Sequence, residues 1–381
     1  MTTSTHSIFI SQPSVGEDEY KALEETLLSG WITQGPKVKQ FENEFSAYHN
    51  LKKSLATTSC TTALHVILKT LGIKAGDEVI VPAFTWVASA NVIEHCGATP
   101  IFVDIDCSTF NLDPTQLNSK ITSKTKAIIA VHLFGLCADI ENIQAIAGDI
   151  PIIEDAACAV GSKHPNGYAG ALGTAGAFSF HPRKTVTTGE GGMVTTNDLE
   201  LAQKIDILRN HGASISEEKR HLSNKPYILP DFDVCGFNYR MTDIQASIGI
   251  AQLQKLNDLL AFRQQWAAYY TNELDVLSWI TPPVIPTGYY HGWQSYVCMI
   301  DESLSPYPRN KIMEILQEKG ISTRPGTHAV HMLKYYKKKY NLNDTDFPNA
   351  YTADQHSISI PFHNKMTKKD FQYIVKTLKE I

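Results

Sequence analysis

Between about residues 50 and 200 the chain alternates short apolar runs with amphipathic stretches, and this alternation restricts the fold more than any other feature. The runs are "KKSLATT" (52–58), "EVIVP" (78–82), "PIFVD" (100–104), "AIIAVH" (127–132), "PIIED" (151–155), "GAFSFH" (176–181) and "GMVTT" (192–196). Several are almost continuously apolar, as strands are when a mostly parallel sheet is covered on both faces. Helical patterns lie between them. After "TTSCTT", Leu64, Ile67, Leu68 and Leu71 fall at i, i+3, i+4 and i+7, one face of a helix. Strands and helices in alternation predict a layered α/β domain.

The pattern changes further on. A capping-box sequence, Thr242-Asp243-Ile244-Gln245, opens a helical stretch running through "ASIGIAQLQKLNDLLAFRQQWAAYYTNEL", too long for one unbroken globular helix, so a bend is expected. Beyond it, "SYVCMID", "NKIMEILQEKG", "SISIPF" and a last helix with Phe371, Ile374, Val375 and Leu378 on one face read as a small α+β lobe. The expected division is a large α/β domain over residues 1–255 and a smaller C-terminal α+β domain over 256–381, the N-terminal segment packing on the latter.

Composition removes several function classes. A chain of 381 residues with 43% hydrophobic and 19% charged residues is globular rather than disordered. A net charge of −5 disfavours nucleic acid or an anionic membrane as partner. No apolar run approaches the roughly 20 residues of a membrane span, and the N-terminus shows no secretory signal. Seven cysteines without a CxxC fit a reducing cytoplasm. The fourteen histidines include no HxxxH or HExxH, so no metal site is expected.

In a parallel α/β sheet, ligands bind beyond the carboxyl ends of the strands, and polar residues follow four of the apolar runs. Ser59-Cys60-Thr61-Thr62 stands between a strand and a helix, where hydroxyls and free N–H groups make either an anion site or a plain N-cap. Asp155 ends "PIIED"; a carboxylate leaving a buried strand needs a partner. Lys184 follows the next run, and if those two strands are neighbours both side chains reach one edge of the sheet. A buried lysine can act as a nucleophile, although a solvated turn lysine is the simpler alternative. Trp86, in "PAFTW", is either a core aromatic or a ring to stack on. An anion cup, an acid for a ring nitrogen, a reactive amine and a flat aromatic are together what pyridoxal 5′-phosphate (PLP) requires. A P-loop built on "TTGEGG" is excluded, because GxxxxGK[ST] is absent and the lysine precedes the glycines.

With these residues in place, the chain resembles the DegT/StrS family of sugar aminotransferases, PLP enzymes of fold type I. The motifs that carry the resemblance are "SGWITQGPKVKQFE" (29–42), "TTSCTTALH" (57–65), "GDEVIVPAFTWVASANVI" (76–93), "GATPIFVDID" (97–106), "VHLFGLCADI" (131–140), "IIEDAACAVGS" (152–162), "FSFHPRKTVTTGEGGMV" (178–194) and "GFNYRMTDIQASIG" (236–249).

The resemblance implies a mostly parallel central sheet sandwiched by helices, with Lys184 as the Schiff-base lysine and Asp155 as partner of the pyridinium nitrogen. It implies that Trp86 stacks on the cofactor and that Ser59, Cys60, Thr61 and Ser179 line the phosphate site. Asn238 or Arg240 of a neighbouring subunit would complete that site, hence a homodimer with shared active sites. Relatives often carry His or Gln at the position of Cys158, beside the cofactor, so its role here is open. The implied reaction moves an amino group from L-glutamate to a nucleotide-linked keto sugar, with pyridoxamine 5′-phosphate (PMP) formed midway, as in O-antigen and other amino-sugar pathways. "SGWITQGP" resembles enzymes that aminate C4 of the sugar more than those acting at C3. Trp31, Thr33, His181, Arg183, Arg324, His328 and His331 are candidate substrate contacts. A lysine at 184 disfavours the sugar dehydratases of the same fold, which have histidine there. The complete residue set disfavours a non-catalytic PLP-binding regulator.

Overall fold

The apolar runs pair into one seven-stranded sheet. The computed structural model describes residues 7–215, 227 and 229–381. Its main strands are β1 (Lys53–Thr57), β2 (Glu78–Pro82), β3 (Thr99–Val103), β4 (Thr125–Val131), β5 (Ile152–Asp155), β6 (Ala175–Ser179) and β7 (Gly192–Thr196). They lie in the order β1-β7-β6-β5-β4-β2-β3. Pairing is parallel from β6 across to β3, and β7 alone runs against its two neighbours. The reversal has a local cause. β6 and β7 are joined by the glycine-rich loop rather than by a helix, and without a crossover helix a neighbour returns antiparallel.

Both faces of the sheet are covered, and adjacent strand residues divide between them. Ile129 and Ile153 enter a core with Leu64 and Ile67 of α3 (Cys60–Thr70), Ile93 of α4 (Ala88–His95) and Ile205 of α6 (Leu199–Arg209). Their neighbours Ile128, Ala130 and Ile152 face the other way, against Ile143 of α5 (Ile140–Ala147). Phe178 and Met193 pack on that side against Phe41 and Phe45 of α2 (Pro36–His49). With both faces covered in this way, several of the strands read as nearly continuous apolar runs. α1 (Glu17–Ser29) precedes these elements.

The expected bend occurs at Lys255, between α7 (Asp243–Gln254) and α8 (Leu256–Leu274). After it, β8 (Ile280–Thr281), β9 (Tyr296–Ile300) and β10 (Ser357–Ile360) form an antiparallel sheet. With α9 (Arg309–Glu318) and α10 (Lys368–Lys379) it encloses a second core of Tyr270, Tyr296, Ile312, Ile358, Phe371 and Ile374. Ile8 joins this second core and bridges to Ile321. The two-residue strands Phe84–Thr85 and His328–Ala329 pair with each other and tie the second sheet's region to the first. No helix among the described residues is long and apolar enough to cross a membrane.

Candidate active site

β5 and β6 are parallel neighbours, with Asp155 opposite Ala177, so Asp155 and the turn after Ser179 leave the sheet at the same edge. A cavity of about 590 Å³ opens there. Asp155, only 5% exposed, lines it. Its Oδ2 accepts a 2.7 Å hydrogen bond from Ser89 Oγ. Its Oδ1 accepts from the Ala157 N–H at 3.2 Å and the Cys60 thiol at 3.8 Å. Burial first, and then the Asp155 carboxylate, push the Cys60 thiol well above its ordinary range, so it remains a neutral S–H donor.

Lys184 reaches the same cavity from the turn after β6, where its N–H donates to His181 O at 2.8 Å. Nζ donates to Cys158 Sγ at 3.1 Å. No carboxylate ion-pairs with this amine among the described residues; its hydrogen-bond partner is Cys158. The return of the chain is steep: Gly189 has φ +82° and nothing nearby, the left-handed region that glycine enters without cost. Gly192 is required by contact instead, since a Cβ there would lie 2.3 Å from the carbonyl carbon of Ser59.

That close approach seats the start of α3 against the cavity. Ser59 caps the helix, its Oγ accepting from Thr62 N at 3.1 Å, while Thr62 Oγ1 accepts from Ser59 N at 3.0 Å. The N-cap reading of Ser59 therefore holds. The N–H groups of Cys60 and Thr61, in the first turn, have no intrahelical acceptor and carry the positive end of the helix dipole. Both residues line the cavity, as does Ser179. Trp86 is not a core aromatic. It is 58% exposed and lines the cavity, its ring 5.7 Å from that of His328.

His181, Arg183, Arg324 and His328 line the cavity farther out. Burial holds the His181 imidazole below its ordinary range, against the opposing pull of Glu190. Burial also lowers Arg324, and Arg183 nearby adds to the effect. Arg324 Nε is buried with no hydrogen-bond partner among the described residues. Two guanidinium groups without a carboxylate between them suit an anionic ligand.

Other sequence candidates lie elsewhere in the chain. His331 is fully buried against Phe347, with Nε2 near Asp344 O, and is not on the cavity wall. Trp31 donates from Nε1 to Gln34 O, and Thr33 O accepts from Asp243 N at the start of α7. Arg240 donates to Asn210 Oδ1, and Asn238 bridges to Asn210. None of these four lines this chain's cavity. Sequence reasoning missed Ser89 and also Glu190, Gln294, Arg309 and Asp354 of the cavity wall. Ser89 and Glu190 lie within motifs already singled out but carry no local mark of their role, and Gln294, Arg309 and Asp354 come in from distant positions.

The wall fits PLP on its own chemistry: an amine without an acid partner, a buried carboxylate at the adjacent strand end, and a helix N-terminus with free N–H groups. The sequence profile of the DegT/DnrJ/EryC1/StrS aminotransferase family matches residues 13–379. The spore coat polysaccharide biosynthesis protein SpsC of Bacillus subtilis is 37% identical over 379 residues, covering 99% of this chain and 97% of that one. GDP-perosamine synthase of Caulobacter vibrioides is 37% identical over 378 residues, covering 98% of each. Spr1654 of Streptococcus pneumoniae, described as a sugar aminotransferase and solved in its PLP form, superposes with a TM-score of 0.90 at 32% identity over 98% of both chains. Its PMP form superposes equally well. The chain therefore belongs to the DegT/DnrJ/EryC1/StrS aminotransferase family: it is a sugar aminotransferase with pyridoxal 5′-phosphate as its cofactor.

Proposed function

We propose that the chain moves the amino group of L-glutamate to C4 of a nucleotide-linked 4-keto-6-deoxyhexose. The observation that carries this reading is the meeting of the Lys184 amine and the Asp155 carboxylate at one cavity, from the ends of adjacent parallel strands. Bound there, the cofactor supplies a carbonyl to take the donor's amine and a ring to accept the electron pair left when the donor's Cα proton departs. Lys184 is the covalent anchor and, once displaced by the donor, the base and acid that carries that proton. Asp155 keeps the ring nitrogen protonated. The N–H groups of Cys60 and Thr61, with Ser59 and Ser179, hold the phosphate. Trp86, on the cavity wall, would hold the ring by stacking, and Cys158 positions Lys184 Nζ through its 3.1 Å contact.

Arg183 and Arg324 bind the sugar nucleotide's diphosphate, with His181 and His328 at the sugar. Asn238, Arg240, Trp31 and Thr33 do not line this chain's cavity; they lie around the start of α7, with Arg240 bridging to Thr57. They serve the cavity of a second copy in a homodimer with shared sites. The break at Lys255 divides a large cofactor-binding domain from the smaller C-terminal one.

Amination at C4 is favoured by "SGWITQGP" and by the likeness to GDP-perosamine synthase. The test is a panel of 4-keto and 3-keto nucleotide sugars offered to glutamate-loaded enzyme, with products read by NMR. A 4-amino product is expected. Amination of only the 3-keto compounds overturns the C4 assignment, and failure on every keto sugar while L-glutamate still converts the enzyme to its PMP form overturns the acceptor class.

A further inference from the structure

Asp155 is held by a chain of hydroxyl groups. Ser89, in the first turn of α4, is fully buried and donates to Asp155 Oδ2 at 2.7 Å. Its Oγ also lies 3.1 Å from Thr85 Oγ1, on a residue 1% exposed. A hydroxyl has one proton to give, and an ionised carboxylate can only accept. Ser89 gives its proton to Asp155, so Thr85 must be the donor to Ser89. The relay therefore has one direction: Thr85 to Ser89 to Asp155. Thr85 is fixed in turn by its backbone, which pairs with His328 across the two-residue ladder. Ala157 N donates to the other oxygen at 3.2 Å. The single thiol proton of Cys60 is shared between that oxygen at 3.8 Å and the nearer Ala177 O at 3.5 Å. Among the described residues, Ser89 therefore makes the one short side-chain hydrogen bond to the carboxylate.

We propose that Ser89, oriented by Thr85, is a positioning residue for transamination: it fixes the rotation of the Asp155 carboxylate and aims the second lone pair of Oδ2 into the cavity. The inference rests on the assignment of Asp155 to the ring nitrogen. A buried serine that merely satisfies its own hydroxyl is the competing explanation, and it predicts an effect on stability without one on turnover.

The test uses PLP-loaded wild type, S89A, S89T, T85V and D155N with L-glutamate and no acceptor, and the absorption of the bound cofactor is recorded. Here kcat is the limiting rate of the single PLP-to-PMP conversion and KM its half-saturating concentration. S89A is expected to lose about ten- to a hundred-fold in kcat, the worth of a hydrogen bond to a charged group, with KM changed by less than about twofold. Its cofactor band is displaced from that of wild type at full occupancy. S89T, which keeps the hydroxyl, returns kcat to within about threefold of wild type, and T85V, which breaks the outer link at a residue that also lines the cavity, costs about three- to ten-fold. Wild-type kcat in S89A overturns the proposal. If S89A does not fold, T85V decides alone, and wild-type kcat there overturns it. D155N separates the two levels. If D155N is nearly inactive while S89A is normal, only the relay falls; if D155N turns over normally, the assignment of Asp155 falls.

Discussion

Replacing Glu154 by glutamine, a change of almost no volume, should destabilise the protein by about 4 kcal/mol, because every group around this side chain is a donor. Glu154 precedes Asp155 in β5 and points to the opposite face of the sheet, where it is wholly buried. Its Oε1 accepts from Leu172 N at 2.8 Å and Gly173 N at 2.7 Å. Its Oε2 accepts from Gly170 N at 2.7 Å and meets His132 Nε2 at 2.8 Å. The tautomer of His132 follows from its other nitrogen. Nδ1 accepts from Ala138 N at 2.9 Å, so Nε2 carries the proton. Glutamine can offer an oxygen to only one of these two donor pairs, and its NH2 group must face the other. His132 cannot relieve the conflict, since moving its proton to Nδ1 would set it against the Ala138 N–H. Two buried donors are stranded at about 1–3 kcal/mol each. Denaturant titration of wild type and E154Q, both PLP-loaded, reads the loss as a lower midpoint at unchanged slope. Stability within about 0.5 kcal/mol of wild type would refute the all-donor assignment.

Two further outcomes concern stability. Arg209, nearly buried, holds Glu42 Oε1 at 2.7 Å and also donates to Ala56 O. R209M should therefore cost about 3–5 kcal/mol, and the double variant R209M/E42M should recover part of that loss, the charge no longer being unpaired, while the buried Ala56 N–H and C=O that Glu42 and Arg209 satisfy stay without partners. An R209M/E42M protein no more stable than R209M would remove this explanation. His49 is completely buried, and burial holds its imidazole down from 6.5 to about 4. The unfolded chain then binds more protons between those values. The contribution of His49 is thus whole above about pH 6.5 and is lost as pH falls toward 4, by roughly 3 kcal/mol at most. H49F should flatten the fall in denaturation midpoint over that window, and an unchanged slope excludes His49 as its source.

Much of the cavity was legible in the sequence because buried parallel strands read as unbroken apolar runs. The residue that ends such a run is then at a predictable edge, which located Asp155 and Lys184 before any contact was known. The α3 face and the bend near Lys255 were visible as helical periodicity and excess length. The position of β7 was not, because strand order depends on how the loop after β6 returns, and the apolar run of β7 reads the same in either direction. Ser89 was hidden for a different reason. A serine in the first turn of a helix reads as local capping, and nothing nearby points to a carboxylate 66 positions on. Glu154 was likewise unremarkable until four donors from two separate segments converged on it.

The claim on which all of this depends is that Lys184 anchors the cofactor and carries the donor's proton. PLP-loaded enzyme mixed with L-glutamate, without acceptor, should change from the PLP to the PMP spectrum and release one equivalent of 2-oxoglutarate. K184A, reconstituted with PLP, should do so at least about a thousand-fold more slowly. Conversion by K184A at a rate within about tenfold of wild type would contradict the account.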